Sequence, residues 1–365
     1  MSRPLADVRL EQLRTDGGPP PALCDVSLHV RYGEFFTVLG APHSGKSALL
    51  RAVAGFLPLA AGRVVVDGQD VTARPPAERS MGIVFQEGAL WPHLTVREHV
   101  TFGLVRQGMA ATEIDERLER VLRRLALGDV AGKRPDALSL EQRRRLALAR
   151  ALAVEPRVLL LDEPLAHLDP VTRKSLRLEL AHLHRDLAVT TIHVTRDAAD
   201  ALALSDRLAV MRDGAILQLG DVEQLYQRPQ SRAVAEALGP ATFLPVRVTE
   251  VRELGVVVAT ESGAELPVAG IGEFRAGDRG LLVMRPETLT LTEASMGRAP
   301  GLPGRVIMRV FEGARYLYEV DINVGVPVRV EVPAPSQTRV FRLGDAVRIE
   351  CSSETVALVP EDQSV

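Results

Sequence analysis

The chain has 365 residues, a length that corresponds to about two domains, each large enough to bury a core of its own. Its hydrophobic fraction of 46% and charged fraction of 25% are ordinary for a soluble globular protein. The formal net charge of −3 gives no indication of nucleic-acid binding, and no apolar run approaches the roughly 18 residues that cross a bilayer. Cys24 and Cys351 allow at most one disulfide, and the N-terminus carries charges where a secretory signal is apolar. We therefore expect an intracellular protein.

The first motif lies between a strand-like and a helix-like segment. Residues 40–47 read GAPHSGKS, which fits the phosphate-loop pattern G-x-x-x-x-G-K-[ST]. The apolar run EFFTVLG precedes it, and in the following KSALLRAVAGF the residues Leu49, Val53 and Phe56 have the spacing of one helix face. The candidate ATP-binding residues are Gly40, Ala41, Pro42, His43, Ser44, Gly45, Lys46, Ser47 and Ala48.

A loop of this kind binds phosphate because successive backbone N–H groups point inward and the helix N-terminus adds partial positive charge. Lys46 would bind the β- and γ-phosphates, and the Ser47 hydroxyl would bind Mg²⁺. The alternative is a glycine turn between strand and helix that is followed by a surface lysine.

Two helical segments follow in the middle of the chain. TEIDERLERVLRRLALGDV predicts an amphipathic helix that packs into a small helical subdomain. Its apolar positions are Ile114, Leu118, Val121, Leu122 and Leu125. In ALSLEQRRRLALARAL, Ser139 with Gln142 three residues later is a capping box. We interpret the arginines at 143–145 as a solvated helix face rather than a nucleic-acid patch.

A pair of acids follows a buried strand. Val158 to Leu161 are consecutive apolar residues, as in a central parallel strand that is covered on both faces. Asp162 follows where it can reach a metal ion beside the phosphate loop, and Glu163 can polarise an attacking water. The alternative is a solvated turn at the end of a strand.

From about Gly239 the pattern changes to short alternating runs separated by turn residues, such as PVRVTEVRELGVVVATES and VPVRVEVP. This spacing predicts a small β-barrel. The sequence thus predicts an α/β phosphate-loop domain over residues 1–238 and an all-β domain over residues 239–365.

Taken together, these motifs resemble the ATP-binding subunits of ABC transporters, in particular bacterial importers of the maltose, polyamine and ferric-iron type. MGIVFQEGALWPHLTVREHV resembles the family's Q-loop, PLAHLD its D-loop, and TTIHVTRDAADALALSDR its switch region. The resemblance implies an ABC cassette with a RecA-like core and a helical subdomain at about 89–153. GLLVMRPETLTL and GDAVRIECSSETVALVPED resemble the OB-like domain of these importers.

The resemblance also implies roles and partners. Gln86 would contact the metal or the attacking water, so that Mg²⁺ would be bound by Ser47, Gln86 and Asp162, while Ser139, Gln142 and Asp169 would act across a dimer on ATP bound to the other copy. The implied partners are a second ATP-binding subunit, two permease subunits and, indirectly, a substrate-binding protein, at the cytoplasmic face of the inner membrane.

The sequence departs from the family at four places. The signature reads LSLEQ instead of LSGGQ, which puts Leu140 and Glu141 where the family has glycines. Arg196, not His193, stands at the switch histidine and would act as a catalytic cation. The third and fourth departures lie in the phosphate loop and in the segment that would contact adenine.

Within the phosphate loop, His43 replaces a glycine that the family often has, although histidine tolerates positive φ comparatively well. LRTDGGPPPALC has no aromatic residue to stack on adenine, and Tyr32 is the nearest one.

These departures leave three alternatives to a fully active importer ATPase. The chain could be a hydrolysis-impaired subunit that pairs with an active partner or regulates. It could be a soluble ABC protein of DNA repair or translation, although those lack the C-terminal barrel. Finally, Arg196 could dominate catalysis without a role for Glu163.

Overall fold

The computed structural model describes residues 6–16, 22–269, 274–294, 301–334 and 340–361. The chain divides into two compact units, Met1–Val222 and Glu223–Val365. No helix within the described ranges is long and apolar enough to cross a membrane. The domain boundary at residues 238/239 that the sequence pattern indicates stays a prediction.

The first unit contains most of the helices. Its strands are β1 (Val8–Arg14), β2 (Val26–Val30), β3 (Phe35–Leu39), β4 (Ala61–Val66), β5 (Gln69–Asp70), β6 (Met81–Val84), β7 (Val158–Asp162), β8 (Thr190–Thr195), β9 (Arg207–Arg212) and β10 (Ala215–Asp221). Its helices are α1 (Lys46–Ala54), α2 (Val96–Arg106), α3 (Ala111–Arg124), α4 (Leu140–Ala153), α5 (Pro170–Leu187) and α6 (Ala198–Leu204), and α7 (Val222–Gln227) begins at its last residue.

A six-stranded sheet with the order β10-β9-β3-β8-β7-β6 forms the centre of this unit. Strands β9, β3, β8, β7 and β6 are parallel, and β10 is antiparallel to β9. Every residue of β3 and of β7 is buried. Leu160 packs in a core on one side of the sheet, with α1, and Leu161 in a core on the other side, with α5. Burial on both faces explains the uninterrupted apolar run that predicted a central strand.

The helical subdomain has a separate core. Leu104 of α2, Leu118 and Leu122 of α3 and Leu146 of α4 are buried in it together. Ile114 and Val121 pack against this cluster, and Leu125 is buried within it. The predicted amphipathic helix and its packing role are confirmed.

Helix α1 is shorter than its apolar spacing predicted. Gly55 adopts a left-handed conformation with φ 85° and ends the helix after Ala54. Leu49 and Val53 are buried as expected, but Phe56 follows the end of the helix and is 53% exposed. The prediction that Phe56 shares the buried face was therefore wrong.

The second unit is an all-β domain that begins with short helical segments. Its elements after α7 are α8 (Arg232–Ala237), β11 (Thr242–Arg252), β12 (Gly255–Thr260), β13 (Glu265–Ala269), β14 (Arg279–Met284), β15 (Thr290–Glu293), β16 (Gly301–Phe311), β17 (Arg315–Asp321), β18 (Val328–Pro333), β19 (Ala346–Glu350) and β20 (Val356–Pro360). The strands form two antiparallel five-stranded sheets, β13-β12-β11-β14-β20 and β15-β19-β16-β17-β18. Residues of both sheets share one core, as the predicted OB-like domain requires.

Candidate functional site

The phosphate loop connects β3 to α1 through a backbone that requires glycine at two positions. A Cβ atom at Gly40 would lie 2.6 Å from the Met211 carbonyl oxygen, so the close approach of β9 excludes a side chain there. Gly45 has φ 100°, a conformation that favours glycine. His43 also has positive φ, at 62°, in the conformation that we expected histidine to tolerate. Glycine is therefore required at position 40 because a neighbouring strand is close, and it is favoured at position 45 because of the backbone conformation.

A cavity of about 590 Å³ lies beside this loop. The loop from Pro42 to Ala48 lines one part of it, and Gln86, Glu163 and Arg196 line another. These three residues come from three different segments, which follow β6, β7 and β8. Because parallel strands end at the same edge of a sheet, residues more than 100 positions apart in the sequence meet at one cavity.

The hydroxyl group of Ser47 and the carboxylate of Asp162 meet where the phosphate loop joins α1. The Ser47 Oγ donates a hydrogen bond to Asp162 Oδ1 at 3.0 Å. Asp162 is 3% exposed, and burial raises the pKa of its carboxyl. Hard oxygen ligands of this kind suit Mg²⁺, so the donor set fits the ion that the phosphate-loop pattern implies.

Glu163 lies between two cations. Its carboxylate is 3.3 Å from Lys46 Nζ and 3.6 Å from Arg196 Nε. The Lys46 and Glu163 side chains are almost fully buried, whereas Arg196 is half exposed. Lys46 also donates to the Ala41 carbonyl at 3.1 Å. Glu163 has φ 44°, a strained conformation for a residue with a side chain, of the kind that clusters at functional sites.

Comparison with known proteins agrees with this geometry. The family described as "ABC transporter" matches residues 23–166, and the family described as "TOBE domain" matches residues 282–359. A spermidine/putrescine import ATP-binding protein PotA from Pseudomonas aeruginosa is 37% identical over 351 residues, which cover 95% of this chain and 96% of that protein. The chain belongs to the ABC transporter family. It is an ATP-binding subunit with ATPase activity that powers import, and its C-terminal domain is OB-like.

Solved structures of ABC cassettes have the fold of the first unit. The cbiO1 protein of Clostridium perfringens, part of an ABC transporter complex, matches with a TM-score of 0.56 and 29% identity over 60% of this chain and 90% of that one. A dimeric ATP-binding cassette in a post-hydrolysis state, bound to ADP and Pi, matches with a TM-score of 0.54 and 28% identity over 59% of this chain and 98% of that one. None of these similarities supports an impaired subunit or a soluble ABC protein of DNA repair or translation.

The residues that were predicted to act across a dimer are not among those that line the cavity, and they cap helices. Ser139 and Gln142 form the predicted capping box at the start of α4, with N···O distances of 3.1 and 3.0 Å. Asp169 accepts from the backbone N–H groups of Val171 and Thr172 at the start of α5. Their role on a second copy's nucleotide stays a prediction.

The altered ABC signature has its acidic side chain paired. Glu141 lies 2.8 Å from Arg145, which also lies 2.9 Å from Glu179 on α5. This pairing compensates the charge of Glu141, while Leu140 is 42% exposed. Arg145 is 17% exposed, and Arg144 is also partly buried. The interpretation of residues 143–145 as a solvated face was therefore correct only for Arg143.

Arg196 and His193 of the switch region lie in different surroundings, as the sequence indicated. Arg196 lines the cavity, whereas His193 lies within β8, is fully buried and contacts Thr37 Oγ1 through its Nδ1 at 3.1 Å. Burial lowers the pKa of His193 to about 3, so this imidazole is neutral at ordinary pH. His193 belongs to the core of the sheet.

The sequence reasoning missed further residues that line the cavity, namely Arg51, Phe56 and Leu57. The glycine after α1 is a signal that could have placed Phe56 outside the helix. Tyr32, the aromatic nearest to the loop, lies in a turn and is 58% exposed. Part of the segment that was expected to approach adenine, residues 17–21, lies outside the described residues.

Proposed function

We propose that MgATP binds in the cavity beside residues 40–48. The observation that carries this proposal is the meeting of Lys46, Ser47 and Glu163 at one cavity, with Asp162 hydrogen-bonded to Ser47 behind it. Lys46 binds the terminal phosphates, which compete with Glu163 for its ammonium group. Ser47, Asp162 and Gln86 would bind Mg²⁺, which would neutralise phosphate charge.

Hydrolysis follows from the position of Glu163. Its carboxylate orients and deprotonates a water aimed at the γ-phosphate, and the nearby Arg196 stabilises the charge that spreads over the phosphate oxygens. The guanidinium of an arginine is a fixed cation, and this is the role that Arg196 has here. Gln86 contributes a side-chain amide that orients the same water.

A second copy completes the nucleotide site. Two subunits enclose two ATP molecules, and each signature helix supplies Ser139 and Gln142 to the nucleotide of the other copy, beside Asp169 of the D-loop. The exposed start of α4 and the dimeric state of a related cassette support this arrangement.

The dimer powers two permease subunits at the cytoplasmic face of the inner membrane, which receive cargo from a substrate-binding protein. A relative of nearly equal length is named for the import of spermidine and putrescine. We therefore propose that the cargo is a polyamine.

Calorimetry with MgATP tests the nucleotide site. We expect Lys46→Ala to weaken binding by at least about tenfold, because a charge-assisted contact with phosphate is lost. Lys174→Ala, which changes an exposed lysine of α5, is the matched control and should bind like the parent. Equal affinities for all three proteins would contradict the proposed site.

Complementation tests the cargo. The chain would be expressed in Pseudomonas aeruginosa cells that lack the PotA relative, and uptake of labelled spermidine would be measured, with Lys46→Ala as the inactive control. Uptake that depends on Lys46 supports polyamine import by this subunit. If the protein co-purifies with the permease and hydrolyses ATP but does not restore uptake, polyamine import by this subunit is excluded.

A further inference from the structure

The loop between β6 and α2 carries Gln86, and two arginines of the signature helix contact its backbone. Arg144 donates to the Gln86 carbonyl, and Arg150 donates to the carbonyls of Gly88 at 2.9 Å and Ala89 at 2.5 Å. Gly88 and Ala89 both have positive φ, at 76° and 44°. Side chains of one helix thus bind three carbonyls within four consecutive residues of this loop.

Arg144 also contacts the segment that follows the catalytic acid. Its other terminal nitrogen donates to the Ala166 carbonyl at 3.2 Å, and the Ala166 N–H donates in turn to the Glu163 carbonyl at 3.0 Å. One guanidinium therefore connects α4 with the two segments that place Gln86 and Glu163 in the cavity. Arg144 itself does not line the cavity.

The chain's single tryptophan lies in the same loop. Trp91 stacks on His99 with a ring distance of 5.4 Å, its backbone N–H donates to His99 Nε2 at 2.9 Å, and the Arg150 guanidinium lies 4.9 Å from its ring. The emission of Trp91 consequently reports on the loop that Arg150 and Arg144 contact.

We propose that Arg144 is a positioning residue that couples the start of α4 to Gln86 and Glu163. A displacement of the signature helix then moves both groups on the water side of the γ-phosphate together. This inference rests on the proposed nucleotide site. It needs an arginine, because a planar fork of donors reaches two carbonyls on different segments at once, whereas lysine presents one point charge.

Steady-state kinetics of the full-length chain tests the coupling. We expect Arg144→Gln to lower kcat for ATP by at least about fivefold, because small misplacements of reacting groups are costly, and to leave KM within about twofold. Arg123→Gln removes the same charge from an exposed position of α3 and should match the parent. If kcat of Arg144→Gln equals that of the parent, or if only KM changes, the coupling does not exist.

Arg144→Lys keeps the cation and serves if Arg144→Gln does not fold. We expect it to lower kcat as well, since the two-segment contact is lost. A full rescue by lysine would show that charge, not the fork, is what matters, and would overturn the proposal.

Trp91 emission gives a second readout that a purely structural role would not change. In the parent, MgATP should shift the emission, and in Arg144→Gln the amplitude should fall by at least half at unchanged affinity. A silent parent, or an undiminished amplitude in the variant, contradicts the coupling. Calorimetry separates this result from a failed nucleotide site, since a protein that does not bind MgATP refutes the site and not only Arg144.

Discussion

The two regions of the first unit that are expected to contact ATP are built in opposite ways. At the phosphate loop, Lys46, Asp162 and Glu163 are almost completely buried and paired with each other or with Ser47. At the start of α4, Ser139 and Leu140 are exposed and the polar groups satisfy their own helix. The first region is assembled by the folding of one chain. The second presents its groups outward, which suits contact with another molecule.

The largest expected effect is at the phosphate-loop region, whose side chains are buried. Glu163→Gln should lower kcat by about 10²–10⁴-fold, because the amide cannot accept the water's proton. Affinity for MgATP should be retained. Single-turnover and steady-state ATPase assays would measure this, with Glu116→Gln on the exposed face of α3 as the control. Unchanged turnover would instead support the alternative in which Arg196 dominates catalysis.

Because His193 is buried in the central sheet, we expect the free energy of unfolding to depend on pH. His193 has a pKa of about 3 in the folded chain, below the ordinary value of about 6.5, so the unfolded chain binds more protons between these values. The free energy of unfolding should therefore fall as the pH is lowered, by about 2 kcal/mol from this residue between pH 7 and pH 5.

Denaturant unfolding of the first unit, followed by Trp91 emission, would measure this loss. His193→Gln should show a shallower decline than the parent over the same pH range. His182→Gln, at an exposed position of α5, should keep the parent's slope. Parallel curves for the parent and His193→Gln would contradict the buried neutral imidazole.

The phosphate-loop region was also easier to predict from the sequence than the start of α4. Gly40 and Gly45, the apolar run of β7 and the acids after it are fixed by backbone sterics and by burial on two faces, and both leave patterns in the sequence. The fold and the grouping of Lys46 with Glu163 followed from these patterns, whereas Gln86 was predicted through the family resemblance.

The contacts that were missed depend on tertiary placement. Arg144 and Arg143 are neighbours of the same type, yet only Arg144 turns toward the carbonyls of Gln86 and Ala166. No periodicity distinguishes them, because the target carbonyls come from distant segments. Phe56 was misplaced for a local reason, since helix spacing was extended past a glycine that ends the helix.

The capping box allows a sharper test of the outward-facing side. Ser139→Ala should reduce the free energy of unfolding by about 1 kcal/mol, because the first N–H groups of α4 lose their acceptor. Thr95→Ala removes the equivalent cap of α2, which is also a capping box, and should cost a similar amount. If Ser139 also binds a second copy's nucleotide, only Ser139→Ala should lower kcat. Equal kcat values for the two variants would reduce Ser139 to a helix cap.

The smallest expected effect concerns the altered signature. An unpaired Glu141 about 4 Å from a phosphate charge would cost about 4 kcal/mol at an effective dielectric of 20, whereas pairing with Arg145 cancels much of this repulsion.

Leu140→Gly/Glu141→Gly should therefore raise kcat by less than about tenfold, and not by the roughly thousandfold that full repulsion implies. The matched control is Thr112→Gly/Glu113→Gly in the first turn of α3, where Glu113 pairs with Arg117 in the same i,i+4 arrangement, so both variants carry a similar loss of helix stability. A steady-state rate that rises no more than in this control means that these side chains do not obstruct the site. A thousandfold rise means that Arg145 leaves the charge of Glu141 uncompensated in the closed dimer.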